Sequence, residues 1–149
     1  MTGFSRYFTR ITIKTKKEEC NVAQIQRGFD TAFAAALLSN APRPGVRLGA
    51  ALFSGPRLLS IGANRWHTHP NSDNNEEFNR TLHAEAVALL RRQHYDKPSG
   101  HLTLFVARRL ADGTIGNSRP CVNCLRLCKE AGVRRVHFYH QGKQEVLCL

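Results

Sequence analysis

The sequence lacks a long apolar segment and is poor in acidic residues. Its 149 residues hold no run that could span a bilayer, and no apolar signal-peptide core follows the first residues. Asp and Glu number 11 against 22 Lys and Arg, so the formal net charge is +11. We therefore expect a cytoplasmic protein without membrane contact. The excess of basic over acidic residues favours polyanionic partners such as nucleic acids or nucleotides, although basic proteins can also owe their charge to solubility.

Cysteine is present without the rhythm of a disulfide framework. The set is odd in number and consists of Cys20, Cys121, Cys124, Cys128 and Cys148. In a chain without an export signal, such thiols are more often metal ligands or reduced core residues than disulfides. A zinc finger does not fit, because no second Cys or His pair follows at finger spacing. We expect Cys128 to be a small buried thiol and not a ligand.

The length suits one domain with a single core. The first residues are basic, with no acid before Glu18. We interpret residues 1–21 as a basic N-terminal arm and residues 22–149 as the domain. A transit peptide has a similar composition and is the alternative for the arm.

Hydrophobic periodicity predicts alternating helices and strands. The predicted elements are a helix at 23–40, strands at 46–55 and 57–64, a helix from about Thr81, a strand at 102–108, a helix at 121–132, and strands at 133–140 and 145–149. The first two helices carry apolar stripes formed by Ile25, Phe29, Phe33 and Leu37, and by Leu82, Ala86, Leu89 and Leu90. This order predicts a mixed sheet with helices against it. Tight turns at Gly55-Pro56 and Gln141-Gly142 predict a hairpin and an antiparallel last pair of strands.

Two short motifs place metal-binding residue types at the starts of two predicted helices. His83 and Glu85 begin one helix, and PCVNC at 120–124 opens the other with Cys121 and Cys124. Two thiolates three positions apart can hold one metal ion, and zinc is the usual partner of sulfur and imidazole. The positive end of a helix favours the thiolate form. Three protein ligands leave a fourth position for water, which is typical of catalytic zinc sites, and Glu85 can move protons there.

HAE at 83–85 and PCVNC at 120–124 resemble the signature of zinc-dependent base deaminases. From about Ala23 onward the sequence resembles the cytidine and deoxycytidylate deaminase superfamily. The segment from GANRWHTHP through LHAE to SRPCVNC looks closest to small phage-type deoxycytidylate deaminase-like proteins. The resemblance implies a three-layer α/β/α sandwich around a five-stranded mixed sheet, one zinc ion per chain, and hydrolysis of cytosine to uracil at C4. Related enzymes attack adenine at C6, which is an alternative.

The resemblance also implies a role for each residue around the zinc. His83, Cys121 and Cys124 would be the ligands, and Glu85 would carry protons to N3 of the base. The remaining contacts come from the backbone N–H of Ala84 to the base carbonyl, the backbone C=O of Arg119 to the departing amine, and Asn64 to the sugar or base.

The loop before the predicted catalytic helix carries Trp66, His67 and His69. We expect these residues to wall the substrate pocket, where an aromatic ring can stack on a base. The alternative is a solvated loop in which the tryptophan packs locally.

Three functions stay open at this point. The charge, together with Arg119 and Arg126 beside the cysteines, favours deamination of cytosine in single-stranded DNA or RNA. The phage-type resemblance and the short chain favour free deoxycytidylate or cytidine. A zinc-stabilised nucleic-acid-binding module without catalysis is third, and Glu85 speaks against it because binding alone needs no proton transfer. A homo-oligomer is compatible with each function.

Overall fold

The computed structural model describes residues 22–41, 44–66, 81–92 and 101–149. The predicted arm at 1–21 lies outside these ranges, as do His67 and His69. Within them the helices are α1 (Val22–Ala35), α2 (Ala84–Arg91) and α3 (Val122–Glu130). The strands are β1 (Arg47–Ser54), β2 (Arg57–Ala63), β3 (Arg65–Trp66), β4 (Thr81–Leu82), β5 (Leu102–Arg109), β6 (Ile115–Gly116), β7 (Val133–His140) and β8 (Lys143–Cys148).

Five long strands form a mixed sheet in the order β2-β1-β5-β7-β8. β5 and β7 are parallel, whereas the β1–β2, β1–β5 and β7–β8 pairs are antiparallel. The predicted hairpin and the predicted antiparallel last pair are therefore confirmed. The short strand β6 pairs with the end of β5, beyond the residues that pair with β7.

Alternate residues of the central strands face two different helical layers, as the two-residue period of a strand requires. One face packs against α2 and α3, and its buried residues include Ala50, Leu52, Leu104, Val106, Ala84, Ala88 and Cys128. The other face packs against α1, and its buried residues are Phe29, Ala32, Ala51, Phe53, Phe105 and Ala107. The predicted three-layer α/β/α sandwich is confirmed.

Glycines allow the helices to lie unusually close to the sheet at two points. A Cβ atom at Gly62 in β2 would lie 2.5 Å from the backbone nitrogen of Ala88 and 2.6 Å from the backbone oxygen of Ala84 in α2. A Cβ atom at Gly49 in β1 would overlap the backbone of α1 at Ala32. Only glycine permits such contact, so Gly62 sets the distance between α2 and the sheet.

The predicted apolar stripe of α1 was wrong at its end. The α-helix stops at Ala35 and continues as a 3₁₀ turn over Ala36–Leu38. The tighter turn moves later residues off the helical stripe, because a 3₁₀ turn has three residues and not 3.6. Leu37 is consequently 56% exposed.

The predicted start of α2 was also wrong, and its predicted apolar stripe was wrong in part, since Leu89 packs against the core. The helix begins at Ala84, and its buried residues are Ala84, Glu85, Val87 and Ala88. Leu90, a member of the predicted stripe, is 70% exposed. The close approach at Gly62 accommodates small residues, which turns the alanines inward and Leu90 outward. Among the described residues, no helix is long and apolar enough to cross a bilayer.

Candidate metal centre and active site

Three metal-binding side chains meet at the starts of α2 and α3. His83 is the residue that caps α2, Cys121 caps α3, and Cys124 lies in the first turn of α3. His83 Nδ1 lies 3.2 Å from Cys124 Sγ and 3.6 Å from Cys121 Sγ. The ligand atoms of all three lie within 4.8 Å of one another. The residues that the motifs predict as ligands are thus brought together.

Local backbone geometry explains how the helix ends present these groups. Cys121 is extended, with φ −72° and ψ 166°, and its sulfur accepts the backbone N–H of Cys124 at 3.4 Å. The sulfur takes the place of the oxygen that usually caps a helix. His83 is also extended but makes no capping hydrogen bond with its side chain. Its ring contacts the cysteine sulfurs, which places an imidazole beside two thiols.

The donor set fits a zinc ion. Tetrahedral zinc bonds of roughly 2.0–2.3 Å place neighbouring ligand atoms about 3.5 Å apart, and the imidazole–sulfur distances are close to this spacing. Burial, followed by the charge of Glu85, raises the pKa of the Cys124 thiol far above its ordinary value. A thiol in such a place ionises when a cation is present to bind it.

Cys128 does not belong to this cluster. It is fully buried among core residues, one turn after Cys124. Burial, with a smaller contribution from the Glu85 charge, raises its pKa to about 12. The prediction of an inert core thiol fits this placement.

Glu85 is a buried carboxyl group beside the donor cluster. Its side chain is 3% exposed, and Oε1 has no hydrogen-bond partner among the described residues. Burial raises its pKa, and hydrogen bonding to its own backbone, the His83 charge and the Cys124 thiol oppose this rise. A buried carboxyl oxygen without a partner is costly. Such a group next to metal-binding residues is a candidate proton carrier.

A cavity of about 260 Å³ opens over the cluster. Its lining residues are Val46, Leu48, Asn64, Trp66, His83, Ala84, Glu85, Arg119 and Cys121. Of the predicted site residues in the described ranges, all but Cys124 line the cavity, and Cys124 belongs to the donor cluster. His67 and His69 stay predictions.

Asn64 is held rigidly in the cavity wall. Its Oδ1 accepts the N–H of Leu48 at 3.0 Å, and its Nδ2 donates to the carbonyl of Val46 at 2.7 Å. These bonds tie the end of β2 to the beginning of β1. The side-chain oxygen and nitrogen can each make another hydrogen bond. Asn64 can therefore hydrogen-bond a ligand while it keeps its bonds to the backbone of the cavity wall.

Trp66, another residue of the cavity wall, has a buried polar atom. Its indole Nε1 is buried without a hydrogen-bond partner among the described residues. The Asn40 side chain makes two hydrogen bonds to the Trp66 backbone: its Oδ1 accepts the N–H at 2.8 Å, and its Nδ2 donates to the carbonyl at 3.4 Å. The β3–β4 pair then joins Trp66 to Thr81, two residues before His83. Sequence patterns did not predict this ribbon.

Ser118 fixes the loop that leads to the cysteines, and the sequence did not mark it. It is 2% exposed; its hydroxyl donates to the Val106 carbonyl at 2.7 Å and accepts the Tyr139 N–H at 2.9 Å. The next residue, Arg119, lines the cavity, and its guanidinium lies 5.8 Å from the Phe138 ring. Arg126, by contrast, is exposed and donates to Asn123 at 3.3 Å, away from the lining residues.

The three-layer fold, the His-Cys-Cys cluster and the buried glutamate are the features expected of the zinc-dependent deaminase superfamily. The chain belongs to the cytidine and deoxycytidylate deaminase family, because the family's zinc-binding region matches residues 22–140.

Solved structures share the fold. Cytidine deaminase from Burkholderia pseudomallei is 22% identical with a TM-score of 0.62, over 83% of this chain and 91% of that one. The dCMP deaminase of cyanophage S-TIM5 is 23% identical with a TM-score of 0.56, over 77% and 81%. The same phage enzyme was solved with dCMP and dUMP, at 22% identity and a TM-score of 0.53 over 82% of each chain. A search of curated proteins found no match.

Proposed function

We propose that this chain removes the amino group of cytosine by hydrolysis. The observation that carries the proposal is Glu85, whose buried and unpartnered Oε1 lies beside three zinc-binding side chains in a cavity. In the reaction, the oxygen of water joins C4 of the ring, a proton joins N3, and the C4–N bond breaks to release ammonia. Water supplies the new carbonyl oxygen, the proton that joins N3 and the one proton that completes ammonia.

His83, Cys121 and Cys124 would hold zinc, which when bound lowers the pKa of water and makes it a nucleophile near neutral pH. Glu85 takes a proton from the attacking water and delivers it to N3, then serves the departing amine in the same way. Its raised pKa suits both directions of transfer, because the carboxyl group holds a proton more readily than an exposed glutamate.

The backbone orients the ring. The first N–H groups of a helix have no partner within it, so the N–H of Ala84 at the start of α2 can donate to the base carbonyl. The backbone carbonyl of Arg119, at the rim of the cavity, accepts from the amine that leaves. Asn64 contacts the sugar or base, and the Trp66 ring forms a wall against which the base stacks.

A single nucleic-acid strand is the first candidate for the molecule that carries the cytosine. The net charge of +11 supports it, because a polyanion releases counterions when a basic surface binds it. A free cytosine nucleotide or nucleoside is the second candidate. The fold shared with the phage enzyme solved with dCMP and dUMP, and with cytidine deaminases, supports that candidate.

The test is to incubate the zinc-loaded chain with a cytosine-containing single strand, its duplex, dCMP, cytidine and the adenine counterparts. Uracil and ammonia are measured in each reaction. Glu85→Gln is the control, because it keeps the size and the metal ligands while it removes the proton carrier. We expect it to retain zinc and to lose about 10²- to 10⁴-fold in kcat. Full activity of Glu85→Gln, or no uracil from any substrate, would overturn the proposal. Conversion of dCMP without conversion of the strand would favour the second candidate.

A further inference from the structure

We propose that Arg108 binds a phosphate group of the substrate at the rim of the cavity. The inference rests on the proposed cytosine deamination and narrows the substrate to a phosphorylated cytosine nucleotide, free or within a strand. Arg108 lies at the end of β5 and is separated in sequence from both metal-binding motifs.

The sheet register directs Arg108 to the cavity side. Arg108 lies directly opposite Leu48 in the antiparallel β1–β5 pair. Residues that oppose one another in such a pair project from the same face of the sheet, with Cβ atoms about 5 Å apart. Leu48 lines the cavity. The Arg108 side chain therefore leaves the sheet next to a cavity wall.

Arg108 does not itself line the cavity, but a hydrogen bond holds its guanidinium to the residue that precedes a lining residue. The Nε of Arg108 donates to the carbonyl of Gly45 at 2.8 Å. Gly45 immediately precedes Val46, another lining residue. Both Leu48 and Val46 are hydrogen-bonded through their backbones to Asn64. The carbonyl that holds Arg108 therefore belongs to the same hydrogen-bonded segment of the cavity wall.

The outer nitrogens of Arg108 remain available for a ligand. Within the described part of the chain, neither Nη1 nor Nη2 has a hydrogen bond or an acidic partner. A guanidinium held at Nε presents these donors as a fixed pair, which suits the oxygens of a phosphate. Neither outer nitrogen is among the described polar atoms that are buried without a partner, so both face solvent, where a phosphate can reach them.

Neighbouring arginines are already committed to other groups. Arg109, the next residue, projects from the opposite face, where its guanidinium lies 3.8 Å from the Phe33 ring and donates to the Phe33 carbonyl at 3.2 Å. Arg119 lies near Phe138; burial raises the pKa of the Glu145 carboxyl, and the charges of His140 and Arg119 oppose that rise. Arg119 lies nearer the cavity, but among the described residues Arg108 is the one of the three with both outer nitrogens unengaged.

The test compares Arg108→Gln with Arg109→Gln, a matched change on the other face of the same strand. Binding of dUMP and of deoxyuridine is measured by calorimetry, because these products report on the site without turnover. We expect Arg108→Gln to weaken dUMP binding about 10- to 100-fold, the range for a hydrogen bond to a charged group. Deoxyuridine binding and zinc content should not change, and Arg109→Gln should bind both ligands as the parent does.

A short single strand containing uracil distinguishes the two phosphate sources. Loss of affinity for both dUMP and the strand assigns Arg108 to the nucleotide's own 5′-phosphate, whereas loss for the strand alone assigns it to a backbone phosphate. Either result supports the proposal. Unchanged binding of both ligands by folded, zinc-loaded Arg108→Gln would overturn it. If no substrate is deaminated, the proposed function fails, but the binding comparison still decides the role of Arg108.

Discussion

The close contact between β2 and α2 at Gly62 predicts that a substitution outside the metal site lowers kcat by moving α2. A methyl group at Gly62 would lie 2.5 Å from the Ala88 nitrogen, whereas ordinary contact begins at 3.4 Å. Because these neighbours are backbone atoms of α2, the helix itself must move away in Gly62→Ala, by about 1 Å. His83 and Glu85 stand at the start of this helix. A misplacement of about 1 Å can cost 10²-fold in rate, so we expect a fall in kcat of that order.

Gly49→Ala is the matched control. Its methyl group would press on the backbone of α1 at Ala32, on the face of the sheet away from the cavity. Both variants should lose about 1–3 kcal/mol of unfolding free energy from overpacking. The assay measures uracil formation per zinc-bound molecule, together with urea unfolding of each variant. If Gly62→Ala lost stability but kept the kcat of the parent, the position of α2 would not control Glu85. A similar fall in kcat for Gly49→Ala would show that the effect is general.

Three further predictions follow from the site, the core and the charge. Cys124→Ser should release zinc and destabilise the fold, because metal binding is coupled to folding. Cys128→Ala should keep the metal, as a zinc assay would show. If Cys128→Ala lost zinc and Cys124→Ser kept it, the ligand assignment would be wrong. His137 is stacked on Phe105 at 4.6 Å, and burial, with the nearby Arg135 charge, lowers its pKa from 6.5 to about 3. The unfolded chain therefore binds more protons between these values, so stability falls as pH falls, by about 2 kcal/mol between pH 7.5 and 5; His137→Phe should flatten this slope in urea unfolding. If the substrate is a single strand, the logarithm of its binding constant should fall linearly with the logarithm of the salt concentration, with a slope of about −0.7 per phosphate contacted. The turnover of dCMP should respond only mildly to the same salt series.

The long elements were predictable because their patterns are strong. The strands at 102–109 and 133–140 show β-branched and apolar runs between turn residues, which matches the structure. The two-residue strands β3, β4 and β6 were not predicted. Elements this short carry no periodicity, and their pairing depends on neighbours that are distant in sequence.

The site was predictable only as far as residue type implies chemistry. His83, Cys121 and Cys124 stand out because thiol and imidazole groups at helix starts suit zinc. Ser118 does not stand out, since one serine in a loop rich in turn-forming residues resembles many others. Its role depends on Val106 and Tyr139, which β5 and β7 bring to the loop. The buried face of α2 was missed for a related reason: a glutamate is normally counted as exposed, whereas Glu85 is turned inward by the site.

The topology explains why two motifs almost 40 residues apart form one centre. β2 and β5 are each antiparallel to β1, so they run in the same direction and end at the same edge of the sheet. The chain reaches α2 after β2 and α3 after β5, which brings both helix starts to that edge. The two helices therefore direct their N-terminal ends toward one cluster of imidazole and sulfur donors. β1 begins and β5 ends at this edge as well, which is why Leu48 lines the cavity and why Arg108 lies beside it. The same strand directions that assemble the metal site thus bring Arg108, to which we assign the substrate's phosphate, to the end of the sheet where Leu48 lies.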